Sequence, residues 1–465
     1  MLFNSYVFIY AFLPVTLIGY YLIKDNEKKL LWLTVCSYYF YSFWNFNLAF
    51  LILFSTLVDF IAGKKIHNSN SQEKRKLWLI LSILTNLGLL GFFKYFNFFL
   101  DSFEKAFYLF GLKLDAPHFN IILPIGISFY TFQSMSYTID IYQRKTQPVK
   151  NFIHFACYVS MFPQLIAGPI VRFKTIAQQL QTRDITSDRI KRGACFFILG
   201  LAKKVVIADS IAVIVDKFWG LPANSLTTSW ITVTAYALQI YYDFSAYSDM
   251  AYGLGQFLGF DFPQNFNSPY KAESITDFWK RWHMSLSAWL RDFLYIPLGG
   301  NRKGPLRTYI NLFITMFLGG LWHGANWTFV GWGCWHGILL ALERKAKNRN
   351  RILPIGIAGR RAVTFILVLL GWVLFRSDNF SQALTIYKSL FGLHGLANFD
   401  QLLTIPLFLY VFFGLTLWIT FTQKNTWEIQ WKFSPRIALG LGILFLVSIF
   451  VILVNFSSPF LYYQF

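Results

Sequence analysis

Charged residues are scarce in this chain, which excludes an ordinary soluble globular protein. Asp, Glu, Lys and Arg make up 14% of its 465 residues, whereas hydrophobic residues make up 55% and aromatic residues 20%. A soluble domain carries about 25% charged residues. The apolar runs are long and unbroken, unlike the short alternating strands of a membrane β-barrel. The composition therefore predicts an all-α polytopic membrane protein.

Cysteine pairs and the common hydrolase and nucleotide-binding motifs are also absent. No CxxC pair, GxSxG, HExxH or P-loop occurs, so we expect no metal and no bound cofactor. The first 23 residues lack a basic segment and a small-residue cleavage site, which favours a retained first span over a signal peptide. The four cysteines lie in apolar stretches and are interpreted as buried free thiols: Cys36, Cys157, Cys195 and Cys334.

Apolar stretches of about 20 residues predict about 11–12 transmembrane helices. They lie near residues 2–23, 30–45, 46–62, 77–99, 121–142, 195–218, 230–256, 308–322, 326–342, 361–376, 403–422 and 437–456. Two further stretches, 152–170 and 275–297, are interrupted by charges or by Pro and Gly. We interpret them as re-entrant or interfacial segments, which membrane proteins accommodate where the backbone is buried in protein.

The distribution of Lys and Arg predicts the orientation. A cytoplasmic side can be assigned to the region 172–204 and to the loops 24–29, 63–76, 143–150, 271–307, 343–361 and 423–436. All but six of the 42 Lys and Arg then lie inside, the exceptions being Lys94, Lys105, Lys113, Lys217, Arg376 and Lys388. The positive-inside rule then predicts an external N-terminus. The net charge of +20 is therefore explained first by basic residues in cytoplasmic loops. The sequence contains no soluble basic face that could bind nucleic acid.

Two aspartates stand in the apolar stretch 230–256. Gln239 precedes Asp243 by four residues, and Ser245 precedes Asp249 by four, so each pair can share a helix face. Polar contacts between helices and a catalytic role are equally compatible with this pattern. We interpret both aspartates as supporting residues.

Residues 274–297 combine a regular apolar stripe with charged residues off it. Apolar positions recur with a period of about 3.6, which predicts one amphipathic helix lying at the cytoplasmic interface. His283 lies at the edge of this stripe, where it can face into the protein. A packed structural histidine remains the alternative.

His323 stands between two apolar stretches in the segment Gly319–Trp327. Flanking glycines let the backbone bend and let another group approach closely. Burial favours the neutral imidazole, which can accept a proton as a general base. From the residues alone, a structural or proton-relay histidine is an open alternative to a catalytic one.

Several long motifs follow one another along the chain. After the opening MLFNSYVFIYAFLPVTLIGYYL they are PIGISFYTFQSMSYTIDIY (124–142), FPQLIAGPIVR (162–172), YDFSAYSDMAYGLG (242–255), FDFPQNFNSPY (260–270), DFWKRWHMSLSAWLRDFLYIPLGGNR (277–302) and GLWHGANWTFVGWGCWHG (320–337). In this order they resemble the membrane-bound O-acyltransferase (MBOAT) family. They are similar to the branch of the alginate O-acetyltransferase membrane subunit and its peptidoglycan-acetylating relatives.

The resemblance implies one membrane domain over 1–465, with helices in a ring around a central tunnel. N-terminal spans would occupy 1–120, a catalytic core 121–345 and C-terminal spans 346–465. It implies that His323 is the catalytic base and His283 the second catalytic histidine, supported by Trp322, Asn326, Asp243 and Asp249. The basic residues Lys280, Arg281, Arg291 and Arg302 would bind the donor's phosphates, unless they only set the topology.

The function implied is transfer of an acetyl group from cytoplasmic acetyl-CoA through the tunnel to an acceptor outside. That acceptor would be a serine of a partner acetyltransferase or a cell-surface polysaccharide, and the enzyme would sit among lipids of a bacterial cytoplasmic membrane. One alternative is D-alanyl transfer from a carrier protein to teichoic acid. The other is a proton-coupled transporter that uses His323 and the aspartates as a relay.

Overall fold

The fold is all-α. The computed structural model describes residues 1–113, 118–349, 354–454 and 458–461, and it contains no β-strand within them. The α-helices are α1 (Leu13–Leu22), α2 (Asn26–Ser42), α3 (Phe46–Asn68), α4 (Gln72–Leu90), α5 (Phe96–Leu109), α6 (Ile127–Tyr142), α7 (Phe152–Ser160), α8 (Phe162–Leu165), α9 (Phe173–Gln181), α10 (Ser187–Ala202), α11 (Asp209–Phe218), α12 (Leu226–Phe257), α13 (Ile275–Arg281), α14 (Met284–Leu290), α15 (Gly304–His323), α16 (Trp327–Asn348), α17 (Ile357–Arg376), α18 (Phe380–Leu390), α19 (Phe399–Leu403), α20 (Leu407–Thr422) and α21 (Pro435–Val454). The predicted fold class is confirmed.

Polar capping residues define where several helices begin. The side chains of Asn45, Ser274, Asn326 and Asn379 accept hydrogen bonds from backbone N–H groups in the first turns of α3, α13, α16 and α18. Each such cap contributes about 1 kcal/mol because it satisfies a donor with no partner inside the helix.

Four helical stretches among the described residues are long and apolar enough to cross a membrane: Phe46–Asn68, Gln72–Leu109, Ile357–Arg376 and Pro435–Val454. Val7–Leu22 and Leu407–Thr422 are shorter apolar helices. Every predicted span overlaps at least one helix. The total of about 11–12 spans stays a prediction. Residues 350–353 of the predicted loop 343–361, and residues 455 and 456 of the predicted span 437–456, lie outside the described residues.

The segment 152–170 is irregular and enclosed in protein, and its interpretation as re-entrant or interfacial stays a prediction. It consists of the short helices α7 and α8, and every residue from 155 to 170 is buried. A backbone that breaks its helical hydrogen bonds within a membrane needs this kind of protein surrounding.

The prediction of one continuous helix over 275–297 was wrong. The chain forms α13, leaves the helical conformation at Trp282 and His283, re-enters as α14 and continues as a π-helical turn over Arg291–Tyr295. His283 has a φ of +44°, a left-handed conformation that no continuous α-helix contains. The apolar period did not reveal this break because the stripe resumes with the same phase on its far side.

The described chain divides into two compact units. One consists of Met1–Phe197 and Met250–Pro263, and the other of Ile198–Asp249 and Gln264–Phe465. In the first, α3, α4 and α6 meet at a buried polar cluster, where the carboxylate of Asp59 accepts hydrogen bonds from Ser82 and Asn86. The second unit contains both histidine motifs, so the candidate site lies within it.

Candidate functional site

Two glycines, Gly320 on α15 and Gly333 on α16, bring these two helices together on either side of the turn after His323. A Cβ on Gly320 would collide with the carbonyl oxygen of Phe329, and one on Gly333 would collide with that of Met316. Only glycine permits this approach of the two backbones. The tight helix pair fixes the turn that carries His323.

His323 is the last residue of α15 and is 4% exposed. Its ring is surrounded by aromatic rings, with centroids 5.0 Å from Trp322, 5.0 Å from Trp332 and 5.2 Å from Phe375. Such surroundings keep bulk water away from the ring. An enclosed imidazole is a suitable general base.

His283 lies at the break between α13 and α14 and is fully buried. Its ring centroid lies 4.7 Å from that of Phe244. The left-handed backbone of a residue other than glycine costs about 1–3 kcal/mol, and such strain concentrates at functional sites. Burial lowers the pKa of His283 to about 3, so the ring is neutral at physiological pH.

Trp322 joins the two candidate catalytic histidines. Its ring centroid is 5.0 Å from that of His323 and 6.2 Å from that of His283. The structure thus brings together three residues that the sequence predicted for one site. Their catalytic roles stay predictions.

Asp243 has an ion-pair partner that the sequence analysis did not identify. Lys204, 2% exposed, donates to its carboxylate over 2.7 Å and lies 2.9 Å from the carboxylate of Asp209. The far end of the chain completes this cluster: the backbone N–H of Leu461 donates to Asp243 over 2.9 Å, and Lys204 also donates to Ser458. Asp243 therefore anchors a C-terminal segment, residues 458–461, in the second unit.

Asp249, six residues after Asp243 on α12, likewise pairs with a lysine and with groups from the C-terminal part of the chain. It accepts hydrogen bonds from Lys203 over 2.6 Å, from Thr426 over 2.8 Å and from the indole of Trp427 over 3.1 Å. The predicted partners along the helix, Gln239 and Ser245, make no hydrogen bond to either aspartate within the described part of the chain. Contacts between helices replace the predicted contacts along one helix.

The side chain of Asn326 stabilises the turn after His323 through two hydrogen bonds. Its side-chain oxygen accepts from the backbone N–H of Thr328 over 3.0 Å, and its amide donates to the carbonyl of Asp378 over 2.7 Å. Both ends of the side chain are thus engaged in holding the start of α16. Its predicted help in catalysis is untested.

Two of the four predicted donor-binding residues have carboxylate partners and two do not, among the residues that the structure describes. Arg281 pairs with Asp277 over 2.9 Å, and Arg291 pairs with Asp292 over 2.6 Å, so both are largely neutralised. Lys280 and Arg302 are exposed, and the structure gives neither a carboxylate partner among the described residues. Any phosphate binding at this face would rest first on Lys280 and Arg302.

The sequence analysis missed several residues of this region: Lys203, Lys204, Trp332, His336 and Phe375. Two adjacent lysines inside the predicted span 195–218 were an available signal, because a charge in a membrane span requires a partner. The aromatic residues carried no comparable signal in a chain that is 20% aromatic.

A separate group, with two carboxylates on α5 and a histidine in the segment that follows, has the residue types of a metal site. Asp101, Glu104 and His118 place their ligand atoms within 4.8 Å of one another, in the first unit. The two ring nitrogens of His118 already face the two carboxylates, at 3.3 and 3.2 Å. Exposed acidic groups of this kind are common without an ion, and the expectation of no bound metal stays a prediction.

Comparison with known proteins identifies the class of chemistry. The sequence model of the membrane-bound O-acyltransferase family matches residues 142–370, a stretch that contains His283 and His323. The chain is 43% identical to the probable alginate O-acetylase AlgI of Pseudomonas putida over 495 aligned positions, covering 100% of both chains.

Two further relatives differ in how much of the chain they match. The peptidoglycan O-acetyltransferase of Helicobacter pylori is 39% identical over 85% of this chain and 81% of its own. The teichoic acid D-alanyltransferase of Bacillus subtilis is 27% identical over 50% of this chain and 62% of its own. The chain is thus an integral membrane acyltransferase, and it belongs to the membrane-bound O-acyltransferase family.

Proposed function

We propose that this enzyme transfers an acetyl group from cytoplasmic acetyl-CoA to a hydroxyl on the outer side of a bacterial cytoplasmic membrane, for O-acetylation of a cell-surface polysaccharide. The full-length similarity to an alginate O-acetylase carries this proposal. The similarity to a D-alanyltransferase is weaker and covers half of the chain, which favours an acetyl over a D-alanyl group. Membership of an acyltransferase family argues against the proton-coupled transporter.

Geometry explains why such a reaction needs a membrane enzyme. Coenzyme A carries several negative charges and cannot cross the bilayer, whereas an acetyl group is small and neutral. A tunnel through the protein would hold the thioester on the cytoplasmic side and admit the hydroxyl from the other. The distribution of Lys and Arg predicts that the loop 271–307 is cytoplasmic, and this topology would put Lys280 and Arg302 on the donor side.

In the proposed mechanism, His323 accepts the proton of the acceptor hydroxyl while the hydroxyl oxygen attacks the thioester carbonyl. The tetrahedral intermediate then collapses: the carbon–sulfur bond breaks, and the thiolate of coenzyme A takes the proton back from the imidazolium. The products are an O-acetyl ester and free coenzyme A. His283, neutral at physiological pH, orients the donor or stabilises the developing oxyanion.

The acceptor is proposed to be a serine of a partner acetyltransferase or the polysaccharide itself. Both present an aliphatic hydroxyl, and neither can reach the cytoplasm once exported. The enclosed aromatic surroundings of His323 suit an acyl group passing between two aqueous sides, because water that entered would hydrolyse the thioester.

Inside-out vesicles test the donor. Vesicles given labelled acetyl-CoA on their outer, formerly cytoplasmic, face should accumulate label on a hydroxyl acceptor in the lumen. A matched preparation carrying His323→Ala should accumulate none. If label appeared only when a loaded carrier protein replaced acetyl-CoA, D-alanyl-type transfer would be the better description.

A further inference from the structure

His336 is a third buried histidine near the candidate site, on α16. It is fully buried, and its Nδ1 accepts a hydrogen bond from the indole N–H of Trp279 over 3.3 Å. Because an indole can only donate, Nδ1 is unprotonated and the neutral ring carries its proton on Nε2. The ring therefore has one defined tautomer and one defined orientation.

The Nε2 side of the ring faces α17 at a glycine. A Cβ on Gly371 would lie 3.0 Å from Nε2, so the helix backbone closes over this edge of the ring. Within the residues that the structure describes, Nε2 has no hydrogen-bond partner. A buried donor without a partner costs about 1–3 kcal/mol. Phenylalanine would fill nearly the same space without this cost, but it would leave the indole of Trp279 without an acceptor.

Trp332 connects His336 to the candidate base. Its ring centroid lies 5.0 Å from that of His336 and 5.0 Å from that of His323, edge to face in both cases. Trp279 also contacts Trp332, with centroids 5.6 Å apart. The hydrogen bond between His336 and Trp279 thus fixes two rings that both contact Trp332. Trp332 in turn contacts His323.

We propose that His336 is a positioning residue: through its bond to Trp279 it holds Trp332 against His323 and so fixes the orientation of the candidate base. The inference rests on the proposed function for its kinetic part. A displacement of the order of 1 Å in a catalytic group can cost about a hundredfold in rate. A single hydrogen bond two contacts away from His323 can therefore influence turnover.

Two substitutions delete the bond from opposite ends. His336→Phe removes the acceptor and retains a ring, whereas Trp279→Phe removes the donor and leaves α16 unaltered. Each should lower kcat for coenzyme A release about ten- to a hundredfold while the KM for acetyl-CoA changes less than about twofold, since neither residue is proposed to touch the donor. The double variant should be no slower than the slower single variant, because both delete the same interaction.

Trp335→Phe is the matched control. Trp335 lies beside His336 on α16, and its indole donates over 3.0 Å to the backbone carbonyl of Leu367. The substitution deletes a partly buried indole hydrogen bond of similar length and leaves the hydrogen bond between Trp279 and His336 in place. Its kcat should stay near that of the wild type.

A second readout does not depend on turnover. Diethyl pyrocarbonate acylates neutral imidazoles, and peptide mapping gives the rate at His323 alone. If His336 holds Trp332 over His323, both bond-deleting variants should raise this rate several-fold, and Trp335→Phe should not. This readout decides the inference even if the wild type releases no coenzyme A from acetyl-CoA, a result that would refute only the proposed donor.

Three outcomes would overturn the inference. Wild-type kcat and wild-type labelling of His323 in both variants would show that the bond has no influence on the site. A raised KM with unchanged kcat would place His336 in donor binding. Fully additive losses in the double variant would show that the two residues act independently. Should His336→Phe fail to fold, Trp279→Phe alone carries the same tests.

Discussion

At the scale of single residues, His323 combines burial, a fixed backbone and aromatic surroundings. General-base catalysis contributes about 10²–10⁴-fold to a rate. His323→Ala should therefore reduce acetyl transfer at least about a hundredfold while the protein still accumulates in the membrane. Purified enzyme assayed for coenzyme A release measures this.

His394→Ala is the control for that experiment, since His394 is exposed and bonds to Ser389 on α18. It should transfer acetyl groups at the wild-type rate. Near-normal transfer by the His323 variant in the same assay would remove His323 from the mechanism.

His283 gives the protein a defined response to acid. An unfolded histidine titrates near pH 6.5, whereas burial lowers the pKa of His283 to about 3 in the folded state. Between these values the unfolded chain binds more protons, so the folded state is fully favoured above about pH 6.5 and loses stability as the pH falls, by about 2 kcal/mol at about pH 5.

His283→Asn should remove this response, and asparagine tolerates the left-handed backbone at this position. The melting temperature of the variant should fall less than that of the wild type between about pH 7.5 and about pH 5. Parallel decreases in the two proteins would contradict the assignment.

The sequence predicts which residues form the candidate site, but it does not predict which residues they contact. His323, His283 and Trp322 stand in motifs, and the structure brings them together. Lys204 and Asp243 are 39 residues apart, and their pairing depends on how two helices lie beside each other. A single sequence specifies contacts within a helix far better than contacts between helices, which is why Gln239 and Ser245 were wrongly preferred.

At the scale of secondary-structure elements, the close pair α15 and α16 determines where His323 lies. Gly333→Ala should force the two helices apart, because the added methyl group meets the backbone carbonyl of Met316. Backbone cannot move aside as a flexible side chain can, so we expect a loss of both thermal stability and acetyl transfer. Melting curves and the coenzyme A assay measure the two effects.

Gly414→Ala on α20 is the matched control, since a Cβ there meets nothing within 4 Å. Alanine in an open helical position should leave stability unchanged or raise it by up to about 1 kcal/mol. Equal behaviour of the two variants would mean that the approach of α15 to α16 is not tight in solution.

The segment from α13 to the π-helical turn should lie on the cytoplasmic side without crossing the membrane. Two helices of seven residues each are too short to span. Cysteines replacing Lys280 or Arg302 should react with an impermeant thiol reagent only from the cytoplasm, in a background without the four native cysteines. A cysteine replacing exposed Lys388 should react only from outside. Labelling on the opposite sides would reverse the proposed topology.

At the scale of the whole molecule, the fold class followed from composition, whereas the interruptions of the helices did not. Length and apolarity predicted helices in every assigned span. The break at His283 and the π-helical turn Lys203–Ala208 depend on what the surrounding protein offers to the backbone. The local sequence does not show which distant residues surround these segments.

The C-terminal segment connects the end of the chain to the buried ion cluster. Removing residues 458–465 should lower the melting temperature by several degrees, because Lys204 and Asp243 lose hydrogen bonds to Ser458 and Leu461 in a buried place. Removing only 462–465 retains those bonds and serves as the control. Equal melting temperatures for the long truncation and the wild type would show that the segment adds no stability.

The members of the same ion cluster are synthesised at very different times. Lys204 is synthesised 39 residues before Asp243 and 254 residues before Ser458. At roughly 5–20 residues per second, Asp209 follows Lys204 within about 1 s, Asp243 follows after roughly 2–8 s and Ser458 after roughly 13–50 s. Throughout that interval the nascent helix holds an ammonium group whose final surroundings do not yet exist. The full set of contacts around Lys204 can therefore form only after the segment that contains Ser458 has left the ribosome.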